Sequence, residues 1–135
     1  MSFEEVSHTA DVKIRARAPT LEALFSDACD ALMQVMYGTY RKGGIIKEIT
    51  IDATDTESLL FDFLSEILFI SETQGIVFSK AMVHIDGLHL HADLEGEPFD
   101  RHKHARGTEV KGISYSGLAI RHNANGYMLD ILFDV

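Results

Sequence analysis

The stretch His8-Thr9-Ala10-Asp11 places short and polar residues between two segments that read as strands, where core building has no use for them. A carboxylate so placed can hold a hard cation, because Ca²⁺, Mg²⁺ and Mn²⁺ prefer oxygen donors. The simpler alternative is that Thr9 and Asp11 hydrogen-bond the backbone of a turn. At the far end an apolar strand finishes Leu132-Phe133-Asp134-Val135, with the Asp134 carboxylate one residue from the terminal one. If that end is paired beside Asp11, three carboxylates converge, and their repulsion demands a cation, a proton or a basic partner. A frayed acidic tail would have no such property.

A second group is the histidine set His84, His89 and His91. A hairpin turning on Asp86-Gly87 puts His84 opposite His89, with His91 on the same face. Three imidazoles could take zinc. The spacing forces no carboxylate beside them, however, and a solvated histidine face is the commoner outcome. The island His102-Lys103-His104-Ala105-Arg106 is too short to establish RNA binding. Lys111 could meet a phosphate or carboxylate, although one lysine on an exposed strand is more often solubilising. Neither Gly-x-Ser-x-Gly nor Gly-x-x-x-x-Gly-Lys occurs, which disfavours an enzyme built on those nucleophile or phosphate motifs. The single Cys29 sits in an apolar helical pattern, excluding an intrachain disulfide and a cysteine zinc site.

With 135 residues and 46% of them hydrophobic, the chain suits one core and one domain over residues 1–135. Its 12 Lys and Arg against 21 Asp and Glu give a net charge of −9, which argues against autonomous nucleic-acid binding and for a basic partner or a cation. There is no apolar run of the roughly 18–20 residues that a membrane helix needs, and the acidic start Met1-Ser2-Phe3-Glu4-Glu5 lacks the form of a signal peptide. The expectation is a cytoplasmic protein away from membranes.

The positioning elements follow from periodicity. Residues 12–18 alternate apolar and basic, a strand with one buried face. Thr20 is a helix N-cap ahead of Leu21, Leu24, Phe25, Ala28, Leu32, Val35 and Met36. Residues 45–53 alternate again, and Asp55 or Thr56 caps a second helix carrying Leu60, Phe63, Leu64, Ile67 and Leu68, which Gly75 closes. Residues 14–33 and 49–68 align without gaps, hinting at a repeated strand–helix unit. Strands are expected over 76–85 and 88–94, a loop over 96–107, and strands over 109–120 and 127–134 about a turn at Asn125-Gly126. The fold class is α+β, with two helices packed on one face of a mostly antiparallel sheet.

Taken in order, His8-Thr9-Ala10-Asp11, Thr20-Leu21-Glu22-Ala23-Leu24-Phe25, Glu57-Ser58-Leu59-Leu60, Gly96-Glu97-Pro98, Glu109-Val110-Lys111, Ser114-Tyr115 and Phe133-Asp134 resemble the archease family across essentially the whole chain. Archeases commonly carry Thr-Tyr-His where this chain has Ser114-Tyr115-Ser116. The resemblance implies an accessory factor of the RtcB-type RNA ligase, which joins 3′-phosphate and 5′-hydroxyl RNA ends in tRNA splicing and RNA repair. Such a factor promotes GTP-dependent guanylylation of the ligase and its multiple turnover, and is not itself an enzyme. It implies a divalent cation, Ca²⁺ in isolation or else Mg²⁺ or Mn²⁺, held by Asp11, Asp134 and an oxygen of Val135. It further implies a functional Lys111, with support from His8. The alternative that it carries is a chaperone or specificity modulator of a tRNA cytosine methyltransferase.

Overall fold

The computed structural model describes residues 2–6, 11–105 and 107–135. The elements run β1 (Ser2–Val6), β2 (Asp11–Ala18), α1 (Leu21–Tyr37), β3 (Ile45–Asp52), α2 (Thr56–Gln74), β4 (Ile76–Asp86), β5 (His89–Pro98), α3 (Arg101–His104), β6 (Gly112–Asn123) and β7 (Gly126–Asp134). Both long helices start on side-chain caps, which supply acceptors to otherwise unpaired N–H groups. Thr20 Oγ accepts from the Ala23 N–H at 3.1 Å, and Asp55 Oδ1 accepts from the Ser58 N–H at 2.7 Å. Gly75 ends α2 at φ +64°, a left-handed conformation that glycine adopts without steric cost. The repeat thus appears as two successive capped strand–helix units.

The α+β class holds, but the strands form two antiparallel sheets, ordered β1-β2-β7-β6 and β3-β5-β4. Each long helix packs against strands of both: α1 touches β4, β2 and β7, and α2 touches β6, β4 and β3. This replaces the expected single sheet with helices on one face, and it explains why α1 is buried so widely, from Leu24 and Phe25 through Cys29 to Met33 and Met36. The rings of Phe25 and Phe63 join the two helices at 5.6 Å between centroids. Helix α1 also covers the outer edge of β4, where Met33 Sδ accepts from the Phe78 N–H at 3.4 Å and Ser26 Oγ donates to the Ala81 carbonyl at 3.0 Å. An edge so covered offers no template to another strand.

Both hairpins turn one residue away from expectation. Asp86 pairs with His89, so Gly87 and Leu88 are central. Only Gly87 has positive φ, +63°, as a turn with glycine at its first central position requires. In the other hairpin Asn123 pairs with Gly126, and Asn123 Oδ1 accepts from the Asn125 N–H at 2.8 Å. That side-chain turn leaves the positive φ, +116°, to Gly126.

The loop expected over 96–107 is shorter than its composition suggests. Strand β5 runs through to Pro98, with Gly96 paired to both Ile45 and Phe78. A Cβ at Gly96 would lie 2.5 Å from the Val77 carbonyl oxygen, so the glycine permits a close approach within the sheet. Beyond it Asp100 caps the one-turn α3, accepting from the His102 N–H at 2.9 Å. Strand β6 begins at Gly112, leaving Lys111 just outside it.

Candidate metal centre

The alternation of β2 decides which of its residues face outward. Ile14, Ala16 and Ala18 are buried, as are Leu129, Ile131 and Phe133 of β7, so Asp11, Lys13, Arg15, Asp130 and Asp134 share the opposite face. The register sets Asp11 directly opposite Asp134, and on the other side of β7 Asp134 faces Gly112 of β6. Directly opposed residues have Cβ atoms about 4.5–5.5 Å apart. The end of β7 is therefore held between two strands, and the Asp134 carbonyl accepts from the Lys111 N–H at 2.7 Å. The Lys111 side chain and Val135 are exposed beside it. His8 lies outside the described residues, as do Thr9 and Ala10.

The electrostatics of this face separate its carboxylates. Asp130 accepts from Arg15 Nε at 2.8 Å and from Arg121 Nη1 at 3.2 Å. Burial alone would raise its pKa, but the hydrogen bonds from the two arginines and the charges of Arg15 and Lys13 outweigh that and hold it below the usual carboxylate range. Asp11 and Asp134 have no such partner: among the described residues, no Lys, Arg or His nitrogen lies within 4.0 Å of either carboxylate. Gly112 adds room, since even a Cβ built there would sit 3.6 Å from Asp134 Oδ2. Two opposed carboxylates, neither ion-paired within 4.0 Å among the described residues, offer an all-oxygen donor set of the kind that suits a hard divalent cation.

A family profile described as the Archease protein family (MTH1598/TM1083) matches residues 3–135. The chain belongs to the archease family. Its relatives include the protein archease of Sulfurisphaera tokodaii, 35% identical over 98% of both chains. That of Pyrobaculum islandicum is 38% identical over 95% of this chain and 91% of its own. The solution structure of a Methanobacterium thermoautotrophicum protein, Protein 1598, superposes with a TM-score of 0.82 at 31% identity, covering 98% of each chain. A Thermotoga maritima crystal structure, titled an archease and possible chaperone, matches at TM-score 0.67 and 18% identity over 98% of this chain and 96% of its own, which speaks to the fold alone.

On the archease fold the remaining candidates fall elsewhere. His84 stands opposite His91 and Asp86 opposite His89, correcting the pairing expected from a turn at Asp86-Gly87. Strand β3 brings carboxylates to the same face, with Asp52 opposite His89 and Glu48 opposite Asp93. Spacing within the hairpin could not place these, because β3 lies outside it. The basic island turns inward in part: Glu97 accepts from Lys103 Nζ at 2.7 and 2.8 Å, and lies 3.2 Å from Nε2 of the buried His104. Cys29 lies on the buried face of α1, and burial pushes its thiol up to about 12, far from the range of a nucleophilic cysteine. No helix is long and apolar enough to cross a membrane among the described residues.

Gly112 was missed in the sequence, although a glycine following Lys111 was its available signal. Also missed was the irregular segment after Ser114. Residues 115–118 of β6 stand against Ile131 alone, with Gly117 at φ +79°. Bulges of this kind re-aim side chains. Tyr115 leans across α2, edge-on to Phe61 at 5.5 Å, with its hydroxyl 3.3 Å from Ser58 Oγ.

Proposed function

We propose that this archease-family chain is an accessory factor of the RtcB-type RNA ligase, acting on the enzyme rather than on RNA. The supporting observation is the cross-strand pair Asp11 and Asp134, opposed in register and without a basic partner among the described residues. These two carboxylates, with an oxygen of Val135, would hold a divalent cation, Ca²⁺ in isolation and Mg²⁺ or Mn²⁺ as alternatives. Bound there, such an ion supplies charge compensation for phosphates and a template for their alignment. The chain's own part is to present that oxygen cluster at one end of an acidic domain, complementary to the electropositive active site of an RNA-handling enzyme. Lys111, held next to Asp134 by its backbone, orients a phosphate or carboxylate nearby. The benefit falls on guanylylation, since nucleotidyl transfer requires aligned and neutralised phosphates.

A chaperone role, or modulation of a tRNA cytosine methyltransferase, is the competing reading, and it has no need of the carboxylate pair. The deciding experiment is ligation with limiting ligase and GTP, comparing wild type with Asp134→Ala. The expected result is increased ligase turnover with wild type and none with a folded Asp134→Ala protein. Full activation by that variant would leave only the scaffold or chaperone reading.

A further inference from the structure

The outer face of the β3-β5-β4 sheet carries a second donor cluster, unlike the first in composition. Glu48 of β3 and Asp93 of β5 are directly opposed, and His91 lies two residues along β5 on the same face. One ligand atom from each of the three falls within 4.8 Å of the others. Among the described residues no other trio of His, Cys, Asp or Glu meets that condition.

Like charges set directly opposite one another destabilise a sheet. Here the opposed carboxylates have no Lys or Arg nitrogen within 4.0 Å among the described residues; the contact made is His91 Nε2 to Asp93 Oδ1 at 3.7 Å. Glu48 is exposed, whereas His91 and Asp93 are partly covered, with side-chain exposures of 36% and 38%. By contrast, His89 is already engaged through Nδ1 with Asp52 Oδ1 at 2.7 Å. His84 faces His91 across β4 and β5 but is outside the trio.

We propose that Glu48, His91 and Asp93 form a binding site for a borderline divalent metal ion of the Zn²⁺ class. One imidazole nitrogen with two carboxylate oxygens suits such ions, whereas Ca²⁺ and Mg²⁺ favour all-oxygen sets. Ligand bonds to zinc near 2.0–2.2 Å require these donor atoms to draw together slightly, a rotamer adjustment for side chains at a sheet surface. Three protein ligands leave a coordination position for water. The site lies on a different sheet from Asp11 and Asp134 and does not depend on the function proposed for them.

The test is calorimetric titration of the purified full chain with ZnCl₂, together with Co²⁺ as a spectroscopic substitute whose visible bands report ligation. Wild type is expected to bind one ion at this site. Glu48→Gln, His91→Ala and Asp93→Asn should each weaken binding on the order of tenfold or more, while His84→Ala, His89→Ala and Asp134→Asn leave it within about threefold and all six keep the wild-type circular dichroism spectrum. Loss of binding in His84→Ala or His89→Ala with retention in Glu48→Gln would overturn the proposal in favour of simple imidazole chelation. Absence of a bound ion in wild type, or loss confined to Asp134→Asn, would also overturn it.

Discussion

Asp134→Asn removes one charge from the opposed pair and leaves the shape of the side chain intact, so it separates stability from ion binding. Two unit charges about 5 Å apart repel by roughly 0.8 kcal/mol in bulk water, and physiological salt reduces this further. In chelator the variant should therefore be as stable as wild type or a few tenths of a kcal/mol more stable. With an unfolding entropy of about 2.1 cal/mol/K per residue over 135 residues, that is a Tm rise of about 1–2 °C. Saturating Ca²⁺ reverses the order. An ion at 100 times its Kd stabilises the folded state by about 2.7 kcal/mol, raising the wild-type Tm by roughly 9–10 °C, and the variant should gain little. Thermal unfolding followed by circular dichroism, with EDTA and across a Ca²⁺ series, gives both numbers from one instrument. Equal Ca²⁺ responses in the two proteins would refute the assignment of Asp134 to a cation. A variant that has lost more than about 2 kcal/mol in EDTA would show instead that the carboxylate is structural, beyond the small effect expected of a surface change.

Three further outcomes follow from the same geometry. Gly96→Ala pushes a methyl group to 2.5 Å from the Val77 carbonyl oxygen, and should cost about 1–3 kcal/mol, read as a lower denaturant midpoint. Asp130, held below the usual carboxylate range by Arg15 and Arg121 despite its burial, contributes stability that is present above its unfolded pKa of about 3.9. That contribution is lost as pH falls through the lower folded value, so Asp130→Asn should flatten the acid limb of a stability–pH curve below about pH 4. The Cys29 thiol, pushed up to about 12 by burial, should resist a thiol-reactive dye at pH 8 in the native protein and react at once in denaturant, as counted by absorbance.

Local chemistry made much of this fold legible. Thr20 and Asp55 announce helix starts because a cap involves residues only three apart, and the alternation of residues 12–18 marks its buried face because strand periodicity is equally local. The hairpin turns slipped by one position because Asp-Gly and Asn-Gly each suit more than one turn geometry, and the choice rests on where a positive φ falls. That slip was enough to exchange the partner of His84. Division into two sheets was not legible, since it is decided by packing between residues far apart in the chain. The acidic ends suggested the meeting of Asp11 and Asp134, whereas the approach of Glu48 to Asp93 depends on β3 joining β5, which no pattern within either strand specifies.

Strand β7 is the last element in chain order, yet it lies inside its sheet, paired with β2 on one side and β6 on the other. During vectorial synthesis, β3, β4 and β5 are all available by Pro98, while β1 and β2 wait with no inner neighbour until the Gly126–Asp134 segment emerges. Domains grow from the N-terminus on the ribosome, so a nascent chain would hold one finished sheet and one half-built sheet until β7 has been made. Asp11 meets Asp134 only when that insertion is complete. The carboxylate pair therefore exists only once β7 is in place, and a chain interrupted before β7 would carry Asp11 without its opposed carboxylate.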